Sequence, residues 1–162
     1  MIDIEKAITA MASESVDFVL IGGVALAIHS AAYVTYDIDL CYERSRANLE
    51  RIAKALSPFG PRLRGFPADL PFIWDATTLS NGSVFTLDTS IGEIDLLSEV
   101  KGLGVFEDVR HQSEPYSLFG YQVMVLSVDG LILAKTAAGR EKDIPGLKHL
   151  EAIKAANSDD EP

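Results

Sequence analysis

The sequence predicts an α/β (α+β) domain in which helices pack on a sheet. Three observations predict it. Residues 16–42 read as an apolar strand, a glycine pair, a short apolar helix and a second strand. Val84–Thr89 and residues 93–97 are strand-like, joined by Ser90-Ile91-Gly92, and so form a hairpin. Between such strands apolar residues recur at helical spacing, at Ile4, Ala7, Ile8 and Met11 and again at Leu49, Ile52, Ala53 and Leu56.

In chain order, the spacing predicts a helix over 3–13, a strand over 16–21 ending at Gly22-Gly23, a buried helix over 24–31 and a strand over 33–42. A helix follows over 48–56 and is stopped by Pro58, Gly60 and Pro61. Residues 58–72 carry four prolines and read as a loop. Residues 74–79 fit helix or strand equally, and Asn81-Gly82 marks a turn. After the hairpin, Gly102 and Gly104 bend the chain, and a second hairpin pairs 116–118 with Tyr121–Leu126 across Phe119-Gly120. Ser127 is placed to cap a helix that ends near Gly139, with Asp129 in its first turn. Leu147, Leu150 and Ile153 share a face of a last helix. With no internal repeat and no linker, residues 1–156 are expected to form one domain, with 157–162 a disordered acidic tail.

Composition narrows the function. Of 162 residues, 48% are hydrophobic and 23% charged, which describes a folded chain with a proper core. The net charge of −10 argues against a nucleic-acid binder that works through many phosphate contacts. Cys41 is the lone cysteine, so no internal disulfide forms, and its apolar strand makes it a buried thiol. The first residues lack the basic-then-apolar order of a signal peptide, and no apolar run approaches the ~20 residues of a membrane span. A cytoplasmic location without membrane attachment is the expectation.

Asp37 and Asp39 stand one residue apart in an apolar strand, beside Ile38, Leu40 and Cys41. A carboxylate there costs several kcal/mol unless it is paired, hydrogen-bonded or bound to a cation. Residues i and i+2 of a strand share a face, so the two carboxylates converge. Paired carboxylates suit hard divalent cations such as Mg²⁺, which such sites share with substrate phosphates. Asp95, between Ile94 and Leu96, is the candidate third acid. Gly22-Gly23 ends a strand and opens a helix, where unobstructed backbone N–H groups can cradle phosphate. Lys135 is a lone cation on a largely apolar helix; a solvated helix lysine is the plain alternative. His29, His111 and His149 are scattered without partners at metal-ligand spacing; His29 reads as a satisfied core or pocket-edge histidine and Trp74 as a core residue.

Gly22-Gly23, Asp37-Ile38-Asp39 and the later Asp95 together resemble the nucleotidyltransferase superfamily, the polymerase-beta-like fold. Lys135, Arg140, Lys142 and Asp143, in KTAAGREKD, resemble the lysine-arginine-lysine-aspartate motif of AbiEii-like toxin nucleotidyltransferases and their bacterial relatives. The resemblance spans roughly 16–150. It implies a mixed sheet with helices packed on it and a cleft for Mg²⁺, as two ions, and a nucleoside triphosphate. Asp37, Asp39 and Asp95 would be the metal ligands and, with Lys135, the catalytic residues. Gly22, Gly23, Thr35, Lys135 and Arg140 would bind the nucleotide. The acceptor could be tRNA, protein or an aminoglycoside, and the toxin-like version brings a cognate antitoxin or a second copy of the chain as partner. Relatives often carry arginine where Tyr33 stands, and some carry an acid near Gly146. The other reading, a nucleotidyltransferase-fold protein that binds or regulates without catalysis, rests on Tyr33 and on the short C-terminal stretch, and the retention of all three acids argues against it.

Overall fold

Apolar strands order this molecule, and the first of them, Phe18–Ile21, is buried along its whole length. The computed structural model describes residues 1–30 and 35–159. Among the described residues the elements run α1 (Ile4–Ser13), β1 (Phe18–Ile21), α2 (Gly22–His29), β2 (Asp37–Tyr42), α3 (Arg46–Leu56), a 3₁₀ turn at Ser57–Phe59, β3 (Arg62–Leu63) and α4 (Ala76–Ser80). Then come β4 (Val84–Thr89), β5 (Gly92–Leu97), β6 (Glu99–Val100), β7 (Gly104–Val105), α5 (Phe106–His111), β8 (Ser113–Leu118), β9 (Tyr121–Leu126), α6 (Val128–Ala138), a 3₁₀ turn at Glu141–Asp143 and α7 (Ile144–Asp159).

Seven strands form one sheet in the order β3-β4-β5-β2-β1-β9-β8, while β6 and β7 pair separately. The sheet is mixed, as expected: β1 runs parallel to β9 and β2 parallel to β5, while β1–β2, β3–β4, β4–β5 and β8–β9 are antiparallel. Alternation fixes the faces. Ile38, Leu40, Ile94 and Leu96 are at most 1% exposed and form the core side of the central strands. α3 packs against both α1 and α4, while α2, α6 and α7 pack with one another and α2 lies against β1 and β2. Capping follows the residue types: Asp3, Ser45, Asp75 and Ser127 each accept a backbone N–H from the first turn of α1, α3, α4 and α6.

Several differences from the sequence reading have local causes. α2 begins on Gly22 instead of after the glycine pair. Residues 58–72 are not wholly loop, because Arg62–Leu63 pair with β4 as an edge strand. The ambiguous stretch resolves as α4, since Asp75 caps it. Helix α5 had no reading in the sequence; it has six residues, too few for a periodic pattern. β2 starts at Asp37, with Thr35 and Tyr36 outside it, and α7 continues through Asn157 and Ser158 to Asp159. Residues 160–162 lie outside the described residues. Among the described residues no helix is long and apolar enough to cross a membrane.

Candidate active site

The parallel register of β2 and β5 sets Asp39 beside Asp95 and Asp37 beside Glu93. Neighbouring strands lie ~4.8 Å apart, so acids from distant parts of the chain meet on the side of the sheet opposite Ile38 and Ile94. One carboxylate oxygen from each of Asp37, Asp39 and Asp95 lies within 4.8 Å of the other two. All three residues are half-buried. Three hard oxygen donors at this spacing fit a hard divalent cation. The Thr35 hydroxyl donates to the Asp37 carbonyl at 3.0 Å and sits 3.4 Å from Asp37 Oδ1, which ties the residue before the strand to the first acid.

Asp39 carries the electrostatic strain of the cluster. Its pKa is raised to about 7, first by burial, then by the charges of Asp37 and Asp95 and by a hydrogen bond with Asp95; Arg140 acts the other way. A proton or a cation is what such a carboxylate lacks. Gly22 explains why the helix can start here. Its φ is +62°, and an added Cβ would collide with Asp39 Oδ2, so the N-terminus of α2 abuts the acid only because the residue has no side chain. Ile21 offers no side-chain cap, which leaves first-turn N–H groups of α2 for an outside acceptor. Gly23 follows in the first turn of the same helix.

The cations expected to meet phosphate are arranged around a second acid. Lys135 Nζ lies 3.4 Å from Asp143 Oδ1, and Arg140 Nε donates to Asp143 Oδ2 at 2.6 Å. Asp143 is buried and the Lys135 side chain is only 12% exposed, so Lys135 is not a solvated helix lysine. Burial alone would raise the pKa of Asp143, but the Arg140 hydrogen bond and the Lys135 charge hold it below the ordinary carboxylate value. The charge of Arg140 also works to lower the pKa of Asp39. Gly146 packs against Lys135: a Cβ there would lie 3.1 Å from Lys135 Cε. Lys142 is exposed.

Two functional-looking residues escaped the sequence reading. Asp143 was legible as part of a motif, but not as the buried partner of two cations. Arg64 was not legible at all: it lies in the proline-rich segment, and its Nη2 donates to Asp95 Oδ1 at 3.0 Å. Its distance from Asp95 along the chain hides that contact, and the pairing of β3 with β4 creates it. The other expectations for single residues hold: Cys41 is a buried free thiol, and burial raises its pKa to about 12. His29 is satisfied, its Nε2 2.9 Å from the Leu126 carbonyl and its Nδ1 3.3 Å from the Tyr116 hydroxyl. Trp74 packs against the core, and its indole N–H donates to the Ala53 carbonyl. Tyr33, which stands where relatives often carry arginine, lies outside the described residues.

No family model matches the chain, and no curated protein matches its sequence. Solved structures do. ANT(2'')-Ia in complex with adenylyl-2''-tobramycin superposes with a TM-score of 0.58 at 15% identity, over 94% of this chain and 93% of that one. The lincosamide antibiotic adenylyltransferase LnuA, lincomycin-bound, gives 0.59 at 14% identity, over 90% and 92%. A solution structure of ANT(2'')-Ia gives 0.56 at 16% identity, over 96% and 89%. These likenesses run nearly the full length of both partners and show the fold.

Proposed function

The nucleotidyltransferase fold is the premise from which we propose that this chain moves a nucleotide from a nucleoside triphosphate to a hydroxyl of a small, amine-bearing molecule. The observation that carries the proposal is the convergence of Asp37, Asp39 and Asp95 beside the uncapped N-terminus of α2. In this reading Asp37, Asp39 and Asp95 would hold Mg²⁺, which would supply positive charge to offset the negative charge that develops on the phosphate in the reaction. Gly22 and Gly23 present backbone N–H groups to the terminal phosphates, and Thr35 fixes Asp37. Arg140, more than half exposed, offers its outer face to the phosphates. Lys135, held by Asp143, keeps the potential there positive. The acceptor oxygen attacks the α-phosphorus, the bond from that phosphorus to the bridging oxygen breaks, pyrophosphate leaves, and Asp95 receives the hydroxyl proton.

A small cationic acceptor is supported by the net charge of −10 and by Asp88 and Glu93, both half-exposed, beside the cluster. Among the proteins of like fold, ANT(2'')-Ia holds adenylyl-2''-tobramycin and LnuA holds lincomycin. A toxin-like enzyme acting on tRNA or protein, with an antitoxin partner, is the competing version, and a non-catalytic binder is the other. One experiment separates them. The protein is mixed with Mg²⁺ and each α-labelled nucleoside triphosphate, against aminoglycosides, lincosamides, total tRNA and cell protein. Label on a small amine-bearing acceptor, reduced about 100-fold or more in Asp39→Asn, is expected. Label on tRNA or protein overturns the acceptor class. No label on any acceptor, with roughly 1–3 kcal/mol of nucleotide-dependent stabilisation, favours the binder.

A further inference from the structure

Arg64 sits just past the edge strand β3, and its backbone N–H donates to the Thr86 carbonyl of β4 at 2.8 Å. Its guanidinium then reaches across β4 to β5. Nη2 donates to Asp95 Oδ1 at 3.0 Å and to the Leu87 carbonyl at 3.2 Å, and Nε donates to Asp88 Oδ1 at 3.3 Å, with Glu93 Oε1 at 3.7 Å. A planar fork held at this many points has little rotational freedom. It fixes Asp95 Oδ1 in place from the side of β4. We propose that Arg64 is a positioning residue for the candidate active site. By fixing the Asp95 carboxylate it presets the third ligand, so that a divalent cation meets three oriented carboxylates. This rests on the assignment of Asp37, Asp39 and Asp95 as the cation site.

The alternative is that Arg64 only balances charge, and the two roles differ in sign. A pure counter-charge repels a second cation, so its removal tightens divalent binding. A positioning residue preorganises the site, and partners that orient metal ligands are typically worth 10–100-fold in metal affinity. The test measures Mn²⁺ binding to the metal-free protein by electron paramagnetic resonance, with no substrate present, in the wild type, Arg64→Gln, Arg64→Lys and Asp88→Asn. Thermal unfolding of each variant is followed in parallel. Arg64→Gln is expected to weaken Mn²⁺ binding about tenfold or more. Arg64→Lys keeps the charge but loses the fork, and is expected to fall between Gln and wild type. Asp88→Asn loosens the anchor of Arg64 and removes one negative charge nearby, and is expected to weaken binding two- to threefold while the protein stays folded. Binding to Arg64→Gln that equals or exceeds the wild type overturns the proposal, as does a wild-type response from Arg64→Lys. Wild-type protein that binds no Mn²⁺ overturns the cation-site reading, and this proposal with it. Failure of the first kind leaves the site standing; failure of the second does not.

Discussion

Asp39 and Asp143 share one residue type, both are drawn out of water, and their surroundings push them in opposite directions. Asp39 stands among carboxylates, and its pKa is raised to about 7 by burial and by Asp37 and Asp95. Asp143 stands between Lys135 and Arg140, whose bonds overcome burial and hold it below the ordinary value. Asp143 is paired directly with Lys135 and Arg140, whereas among the described residues no ion pair reaches Asp39. On the proposed reading, that difference separates an acid used to build the molecule from one used to bind a cation.

The contrast is sharpest in stability. Asp143→Asn leaves Lys135 nearly buried without its partner and should destabilise the protein by roughly 3 kcal/mol, read by denaturant titration. Gly22→Ala, which forces a Cβ toward Asp39 Oδ2 at positive φ, should cost roughly 2 kcal/mol and also abolish stabilisation by Mg²⁺. Asp39→Asn should do the reverse of Asp143→Asn: the metal-free protein gains about 1 kcal/mol or more near pH 8, because a like charge is removed. A loss of stability in Asp39→Asn would erase the distinction between the two acids.

The same contrast is written in the pH profile. The folded-state pKa of Asp39 is above its unfolded value, so the folded state holds a proton that the unfolded state releases between about pH 4 and pH 7. Metal-free stability should therefore fall as pH rises through that window, relative to Asp39→Asn, and saturating Mg²⁺ should remove the fall. The folded-state pKa of Asp143 is depressed, so its contribution is present above the ordinary carboxylate pKa and is lost on acidification. Thermal melts of the wild type and both Asn variants across pH 3–8 read the two opposite slopes.

The sequence showed the acids because they violate their surroundings: a charge between Ile38 and Leu40, or between Ile94 and Leu96, needs a reason. It showed most strands and the long helices, where period and capping residues agree, as at Ser127 and α6. It did not show that Gly22 touches Asp39, nor that Lys135 is spent on Asp143, because both depend on packing between elements. Arg64 was hidden for another reason. An edge strand of two residues in a proline-rich stretch leaves no periodic signal, and the contact to Asp95 spans two strand pairings.

The register of β2 against β5 has a consequence for how the protein assembles. Asp39 and Asp95 face one another only in this alignment, because a one-residue slip would turn every β5 side chain to the opposite side. The carboxylate trio therefore does not exist in a chain that has formed its local hairpins but has not yet joined β5 to β2. That parallel pairing is non-local, the kind of contact that closes late and slowly. A divalent ion that binds the trio would act as a kinetic reporter, silent through the early steps of refolding and responding only when the centre of the sheet has closed in register.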